Sequence, residues 1–231
     1  YFHKVLCLSE AKGMDIKMKV LVTGFDPFGG ESINPAYEAV RLLPDVIAGA
    51  EIIKLEIPTV FTRSAIVVEK AIEEYNPDII LCVGQAGGRT CITVEKVAIN
   101  LAEARIPDND GEQPFDQKLR EDGETAYFST LPVKAMVENM KVHKIPASIS
   151  YTAGTYVCNS IMYHVLYLLE KRFKGKRGGF IHVPYESGQV VDKNIGMPFM
   201  SLDMIAQGLQ YAIEAAIENE TDVKTIMGET H

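Results

Sequence analysis

The sequence predicts an α/β fold, a three-layer α/β/α sandwich with a mostly parallel central sheet. Three observations carry that reading. Lys19-Val-Leu-Val-Thr23 and Ile79-Ile-Leu-Cys-Val-Gly84 are short, continuous apolar runs, as strands buried on both faces are. A further strand near Ile52–Ile57 lies between them, and segments with helical spacing separate the three, giving the order βαβαβ. Parallel strands need such crossovers, whose right-handedness packs helices on the sheet and leaves sites at strand C-terminal ends. At 231 residues the chain fits one large single-core domain.

Each element has its own justification. Tyr1 to Met18 lacks the apolar stretch of a secretion signal. Residues 1–13 read as vector-derived or disordered, with a native start at Met14 or Met18, and the domain is taken as 19–231. The first strand empties into Gly24-Phe-Asp-Pro-Phe-Gly-Gly30, a loop of chain breakers with two aromatics. Asn34 caps a helix with Pro35 in its first turn, running to about Leu43. Pro58-Thr59-Val60 ends the second strand. The next helix runs from Phe61 to about Tyr75, with Ile66, Val67, Ala71 and Ile72 expected to face inward. Asn100 to Thr125 is polar and breaker-rich, an excursion expected to be able to cover the sheet edge that carries the site. A helix follows from about Pro132 to His143, then a β-prone run at Ala147–Tyr151. Beyond the turn at Ala153-Gly154, Ile161, Met162, Val165, Leu166, Leu168 and Leu169 recur at helical spacing. Gly178 to Tyr185 is a short strand cut off by Pro184. Ser201 caps a last packing helix with Leu202, Ile205, Leu209, Ala212, Ile213, Ala216 and Ile217 in one stripe.

Composition narrows the function. Apolar residues make up 47% and charged residues 23%, ordinary for a globular protein. The formal charge of -8 argues against a general nucleic-acid binder, which needs a basic face. No apolar run approaches the roughly 20 residues that span a bilayer. Cys7, Cys82, Cys91 and Cys158 show neither CxxC spacing nor a dense framework. Zinc and disulfide scaffolds are therefore disfavoured, and reduced cytosolic thiols are expected.

The chemistry concentrates at a few positions. Cys158 sits where a strand hands over to a helix, and unpaired N–H groups there favour thiolate over thiol. The alternative is a buried structural cysteine. Cys82 reads as inert core, and Cys91 lacks the helix-start setting. His182, at the C-terminal end of a strand, is placed either as a base for a thiol or as a structural histidine bonded to backbone. Glu95 lies in the half-apolar run Ile92–Ile99, where a solvated carboxylate is the simpler local reading. Gln85, between glycines, offers a planar amide with donor and acceptor. Phe25 and Phe28 either fold back into the core or wall a small apolar pocket. Their loop matches neither GxGxxG nor GxxxxGK[ST], so a nucleotide site is weakly supported. His143 is expected to be solvated at a helix end, and His164 to be a core or surface residue.

These segments carry a resemblance. Thr23-Gly-Phe-Asp-Pro-Phe-Gly-Gly30 with Ile33-Asn-Pro35 resembles the N-terminal signature of the pyroglutamyl-peptidase I (pyrrolidone carboxyl peptidase) family. These are cysteine peptidases that remove N-terminal pyroglutamate from peptides. Val83-Gly-Gln-Ala-Gly-Gly-Arg89, through Glu95-Lys-Val-Ala-Ile-Asn100 and Ala104-Arg-Ile-Pro-Asp-Asn109, is similar to the segment holding the family's catalytic glutamate. Ser150-Tyr-Thr-Ala-Gly-Thr-Tyr-Val-Cys-Asn159 resembles its cysteine signature, and Gly179-Phe-Ile-His-Val-Pro-Tyr185 its histidine segment. The motifs keep the family's order from Lys19 to about Gln210.

The resemblance implies a phosphorylase/hydrolase-like sandwich in which Cys158 is the nucleophile, His182 its base and then acid, and Glu95 the residue orienting the imidazole. It implies that Phe25 and Phe28 sandwich the pyroglutamyl ring, that Asn34, Thr59 and Gln85 surround it, and that Arg105 lies near the thiol. Peptides with N-terminal pyroglutamate are the implied partners, with no nucleic acid, no membrane, no metal and no organic cofactor. A cytoplasmic homotetramer is implied as well. Lys96 departs from an arginine common in relatives, and Tyr185-Glu-Ser-Gly-Gln189 from their usual proline-containing run. Two other readings stand beside this one. A nucleoside-phosphorylase-like enzyme would need basic phosphate donors, which Gly24–Gly30 lacks. A non-catalytic pyroglutamate-binding protein would leave Cys158, His182 and Glu95 unexplained.

Overall fold

The structure, a computed structural model, describes residues 18–228. The leader expected over residues 1–18 thus lies, except for Met18, outside the described residues. In chain order the elements are β1 (Lys19–Phe25), α1 (Pro35–Arg41), β2 (Val46–Ile47), β3 (Ala50–Ile57), α2 (Phe61–Tyr75), β4 (Ile79–Gln85), β5 (Ile92–Glu95), β6 (Val97–Ile99), β7 (Ala126–Phe128), α3 (Val133–Val142), β8 (Ala147–Ser150), α4 (Val157–Lys171), β9 (Arg177–Val183) and α5 (Leu202–Glu218). The central sheet has the order β2-β3-β1-β4-β9-β5-β8, and β6 and β7 form a separate antiparallel pair.

The core of the sheet is parallel: β1 pairs with β3 and β4, and β4 with β9. The two faces of the sheet have separate apolar cores. One gathers Val20, Val22, Leu81, Val94 and Val183 under α1, α3 and α5; the other gathers Leu21, Ile80, Cys82 and Phe180 under α2 and α4. That makes three layers. At one side the direction reverses. β5 and β8 are parallel to each other, but β5 runs antiparallel to β9. The connection Ala86–Cys91 is too short for a parallel crossover, which needs a dozen or more residues. β5 therefore returns beside β9, and Cys158 does not follow a strand parallel to the rest.

Two local expectations change. In α2 the buried stripe is Phe61, Ser64, Val68, Ala71 and Ile72, which leaves Ile66 46% exposed. Its spacing from Phe61 turns it away from the sheet. The excursion from Asn100 folds back onto the site edge at its start. Asn109 donates to Asp26 Oδ1 (3.1 Å) and the Pro27 carbonyl (2.9 Å), and the Tyr156 hydroxyl donates to the Pro107 carbonyl (3.0 Å). Its later part packs on the outside of α4, where Tyr163 and Tyr167 donate to the Glu124 carbonyl and the Asp122 carboxylate.

Two helix starts without a capping side chain of their own, those of α2 and α3, are capped from afar. Asp108 Oδ2 accepts the Phe61 N–H at 3.0 Å, and Asp222 Oδ1 accepts those of Lys134 and Ala135. His143 ends α3, exposed, with its ring on the Asn139 carbonyl and stacked on Tyr211.

The first strand reaches the loop after it under a tight constraint. A Cβ on Gly24 would lie 2.5 Å from Tyr37 Cα in α1, a backbone atom that cannot swing aside. Gly24→Ala is expected to destabilise the fold by about 2–3 kcal/mol, read as a lower urea midpoint at unchanged slope.

Candidate active site

Adjacent strands of the central sheet converge on one face. Thr93 lies opposite His182 and Glu95 opposite Phe180 in the β5–β9 pairing, so all four side chains share a face by the alternation of strands. Glu95 is 0% exposed and His182 is buried. The local reading of Glu95 as a solvated carboxylate is therefore corrected: strand β5 is enclosed between β8 and β9. His182 Nδ1–H donates to Glu95 Oε1 at 2.7 Å, which leaves Nε2 as the acceptor nitrogen. Phe180 packs beside the imidazole with ring centroids 4.8 Å apart.

Cys158 arrives from above this face. It stands in the first turn of α4, after Tyr156. Gly84 is level with His182 in the β4–β9 register, and a Cβ on Gly84 would lie 2.8 Å from Cys158 Sγ. The glycine thus leaves the space that the thiol occupies. Cys82 is wholly buried, its thiol pushed up to about 12 by burial, as inert core requires. Cys91 is half-buried beside the Ser148 hydroxyl.

The electrostatics define the resting state. Burial pulls His182 below the ordinary imidazole range, against the raising effect of Glu95 and with a lowering effect of Arg89. Burial would raise Glu95, but His182, Ser150 and Arg89 together hold it below the usual carboxylate value. Cys158 is pushed up to about 12, by burial first and the Glu95 charge second, with Arg89 and its own N–H opposing. Burial and the Glu95 charge oppose the preference for thiolate expected at the helix start. These directions favour a neutral imidazole and a neutral thiol beside an ionised carboxylate.

The family model described as pyroglutamyl peptidase matches residues 18–219. The chain belongs to the pyroglutamyl peptidase family. It is 61% identical over 214 residues to the pyrrolidone-carboxylate peptidase of Enterococcus faecalis, covering 93% of this chain and 100% of that protein. The crystal structure of pyroglutamyl peptidase I from Bacillus amyloliquefaciens superposes with a TM-score of 0.87 at 49% identity, covering 90% and 99% of the two chains. The pyrrolidone carboxyl peptidase from Thermococcus litoralis gives 0.84 at 39% identity, covering 87% and 94%.

Within this pyroglutamyl peptidase fold the other expected site residues separate into groups. Phe25 is 2% exposed and packs on Phe180 at 6.5 Å, while Phe28 is half-buried, 6.2 Å from the Tyr156 ring. Asn34 and Thr59 are buried and both donate to the Asp26 carbonyl, at 3.0 and 3.1 Å, so they brace the loop between β1 and α1. Gln85 Oε1 accepts from Gln189 Nε2 at 2.9 Å, which ties the segment after β9 to the site. Arg105 is exposed. Arg89, Tyr156 and Asn159 are site neighbours that sequence reasoning did not single out, although each falls inside a quoted motif. Among the described residues no group of three or more His, Cys, Asp or Glu could hold a metal ion, and no helix is long and apolar enough to cross a membrane.

Proposed function

We propose that the chain is a cysteine omega-peptidase that removes N-terminal pyroglutamate from peptides. The observation that carries this reading is the buried His182–Glu95 hydrogen bond of 2.7 Å at the level where Gly84 makes room for the Cys158 thiol. In this reading His182 Nε2 takes the thiol proton as sulfur attacks the carbonyl after the pyroglutamyl ring. Glu95 stabilises the imidazolium that forms. The imidazolium returns the proton to the leaving amine, and water then hydrolyses the thioester with His182 again as base. N–H groups at the start of α4, together with Arg105, are proposed to stabilise the oxyanion. Proton transfer coupled to attack suits a pair that rests neutral.

For specificity, Phe25 and Phe28 are proposed to border the small flat ring, with Gln85, Asn34 and Thr59 around the pocket. The bonds of Asn34 and Thr59 to Asp26 favour a role in shaping the loop, whereas Gln85, whose carbonyl is already held by Gln189, keeps its amide N–H groups for a ligand. N-terminal glutamine or proline would forfeit hydrogen bonds in that pocket. A homotetramer in the cytoplasm is also proposed. Three free thiols among the described residues, Cys82, Cys91 and Cys158, suit a reducing compartment.

The test is hydrolysis of a fluorogenic pyroglutamyl amide, with proline and glutamine amides as controls, by wild type and Cys158→Ala. Release from the pyroglutamyl amide alone, abolished in Cys158→Ala, is expected. Turnover surviving in Cys158→Ala would remove the thiol from the mechanism. Phosphorolysis of a nucleoside, or pyroglutamate binding without turnover, would favour the rival readings.

A further inference from the structure

Arg89 lies in the loop between β4 and β5, and its half-buried guanidinium reaches three groups of the site. Nη1 donates to Glu95 Oε1 at 2.7 Å, the same oxygen that accepts from His182, and also to the Thr93 hydroxyl. Nη2 donates to the Thr152 carbonyl at 3.2 Å, in the turn that leads from β8 to Cys158. Glu95 Oε2 is buried with no hydrogen-bond partner among the described residues. His182 and Arg89 therefore meet at one oxygen of this carboxylate. A buried carboxylate stays ionised only beside a compensating positive charge. With the imidazole neutral, Arg89 supplies that charge.

We propose that Arg89 is a positioning residue for the thiol-peptidase reaction, tying the Glu95 carboxylate to the turn that delivers Cys158 and setting a fixed positive charge beside it. The proposal rests on the roles given above to Cys158, His182 and Glu95. Without the guanidinium, the buried Glu95 charge would draw a second proton onto His182. An imidazolium cannot accept the thiol proton. The Thr152 carbonyl would keep only the Ser150 hydroxyl at 3.1 Å, and the Cys158 turn would lose its direct link to the Glu95 carboxylate. The groups that act on this pair are Glu95 on β5, Arg89 on its loop and Cys82 on β4, with Cys158 itself on α4. Glu95 and Arg89 pull in opposite senses on both His182 and Cys158.

The experiment measures kcat, KM and the pH profile of kcat/KM on a pyroglutamyl amide for wild type, Arg89→Gln, Arg89→Lys and Cys158→Ala. Arg89→Gln is expected to lower kcat by about 10²-fold with KM little changed, and to move the acid limb to higher pH. Arg89→Lys keeps the charge but not the two-armed reach. It is expected to hold the limb near that of wild type and recover only part of kcat. An unmoved limb in Arg89→Gln would overturn the proposal, since loss of fold alone leaves the ionisation of the surviving enzyme unchanged. Should Arg89→Gln fail to fold, Arg89→Lys decides: full wild-type kcat would overturn the proposal, as would a displaced acid limb. Turnover by Cys158→Ala would overturn the underlying mechanism, whatever the Arg89 variants do.

Discussion

Glu95→Gln is expected to lower kcat by about 10²- to 10⁴-fold, the range of general acid–base contributions. The side chain is fully buried, and Oε1 receives both His182 Nδ1–H and Arg89. A glutamine carbonyl in the place of Oε1 can still accept from both donors, so the imidazole keeps its orientation and its Nδ1–H. The amide NH₂ would occupy the Oε2 position, buried without a partner. What is lost is the negative charge: the imidazolium formed during attack would have no counter-charge. KM should change far less than kcat, because Glu95 is not among the groups proposed to touch the pyroglutamyl ring. Steady-state kinetics with circular dichroism as a folding control tests this. A loss below about 10-fold, against the range just given, would mean that the imidazolium does not depend on the carboxylate for its counter-charge.

Much of this arrangement was legible in the residues, for identifiable reasons. Continuous apolar runs are strongly determined by burial on both faces, so β1 and β4 fell within two residues of their predicted ends. Capping chemistry is local, which is why Asn34 and Ser201 were readable: their side chains accept the N–H groups of Ala36 and Met204. Cys158 at a helix start was legible for the same reason. Burial of Glu95 was not, because it depends on β8 and β9 closing around a strand whose own composition is half polar. Strand direction in β5 hinged on which strand entered between β4 and β5, a choice made far away in the chain. Asp108 and Asp222 cap helices 47 residues or more distant, beyond any local pattern. The elevated thiol follows from the same closure, since burial and the Glu95 charge outweigh the local effect of the helix start.

Asn159, beside the thiol in sequence, is expected to carry more stability than any other polar side chain of α4. It is 1% exposed and in the first turn of the helix. Oδ1 accepts the Ile99 N–H at 2.9 Å, and Nδ2 donates to the Ile99 and Leu101 carbonyls at 2.9 and 3.0 Å. The amide therefore acts as the strand partner that β6 lacks on this side. Asn159→Ala would orphan two half-buried backbone groups, the Ile99 N–H and the Leu101 carbonyl, while the Ile99 carbonyl keeps the Leu101 N–H at 2.9 Å. At about 1–3 kcal/mol for each unsatisfied group, and with water entering the gap, a loss of about 3 kcal/mol is expected in urea unfolding. The damage should extend to function, because the chain beyond Leu101 carries Arg105 and Asn109, and Asn109 ties it to the loop of Phe25 and Phe28. KM for the pyroglutamyl amide should rise together with a fall in kcat. Asn159→Asp separates hydrogen bonding from packing. It retains the volume and the acceptor but turns both carbonyl contacts repulsive, so it should be no more stable than Asn159→Ala. Wild-type stability in Asn159→Asp would show that the two donated bonds contribute nothing, and that α4 and β6 are held together by their apolar contacts alone.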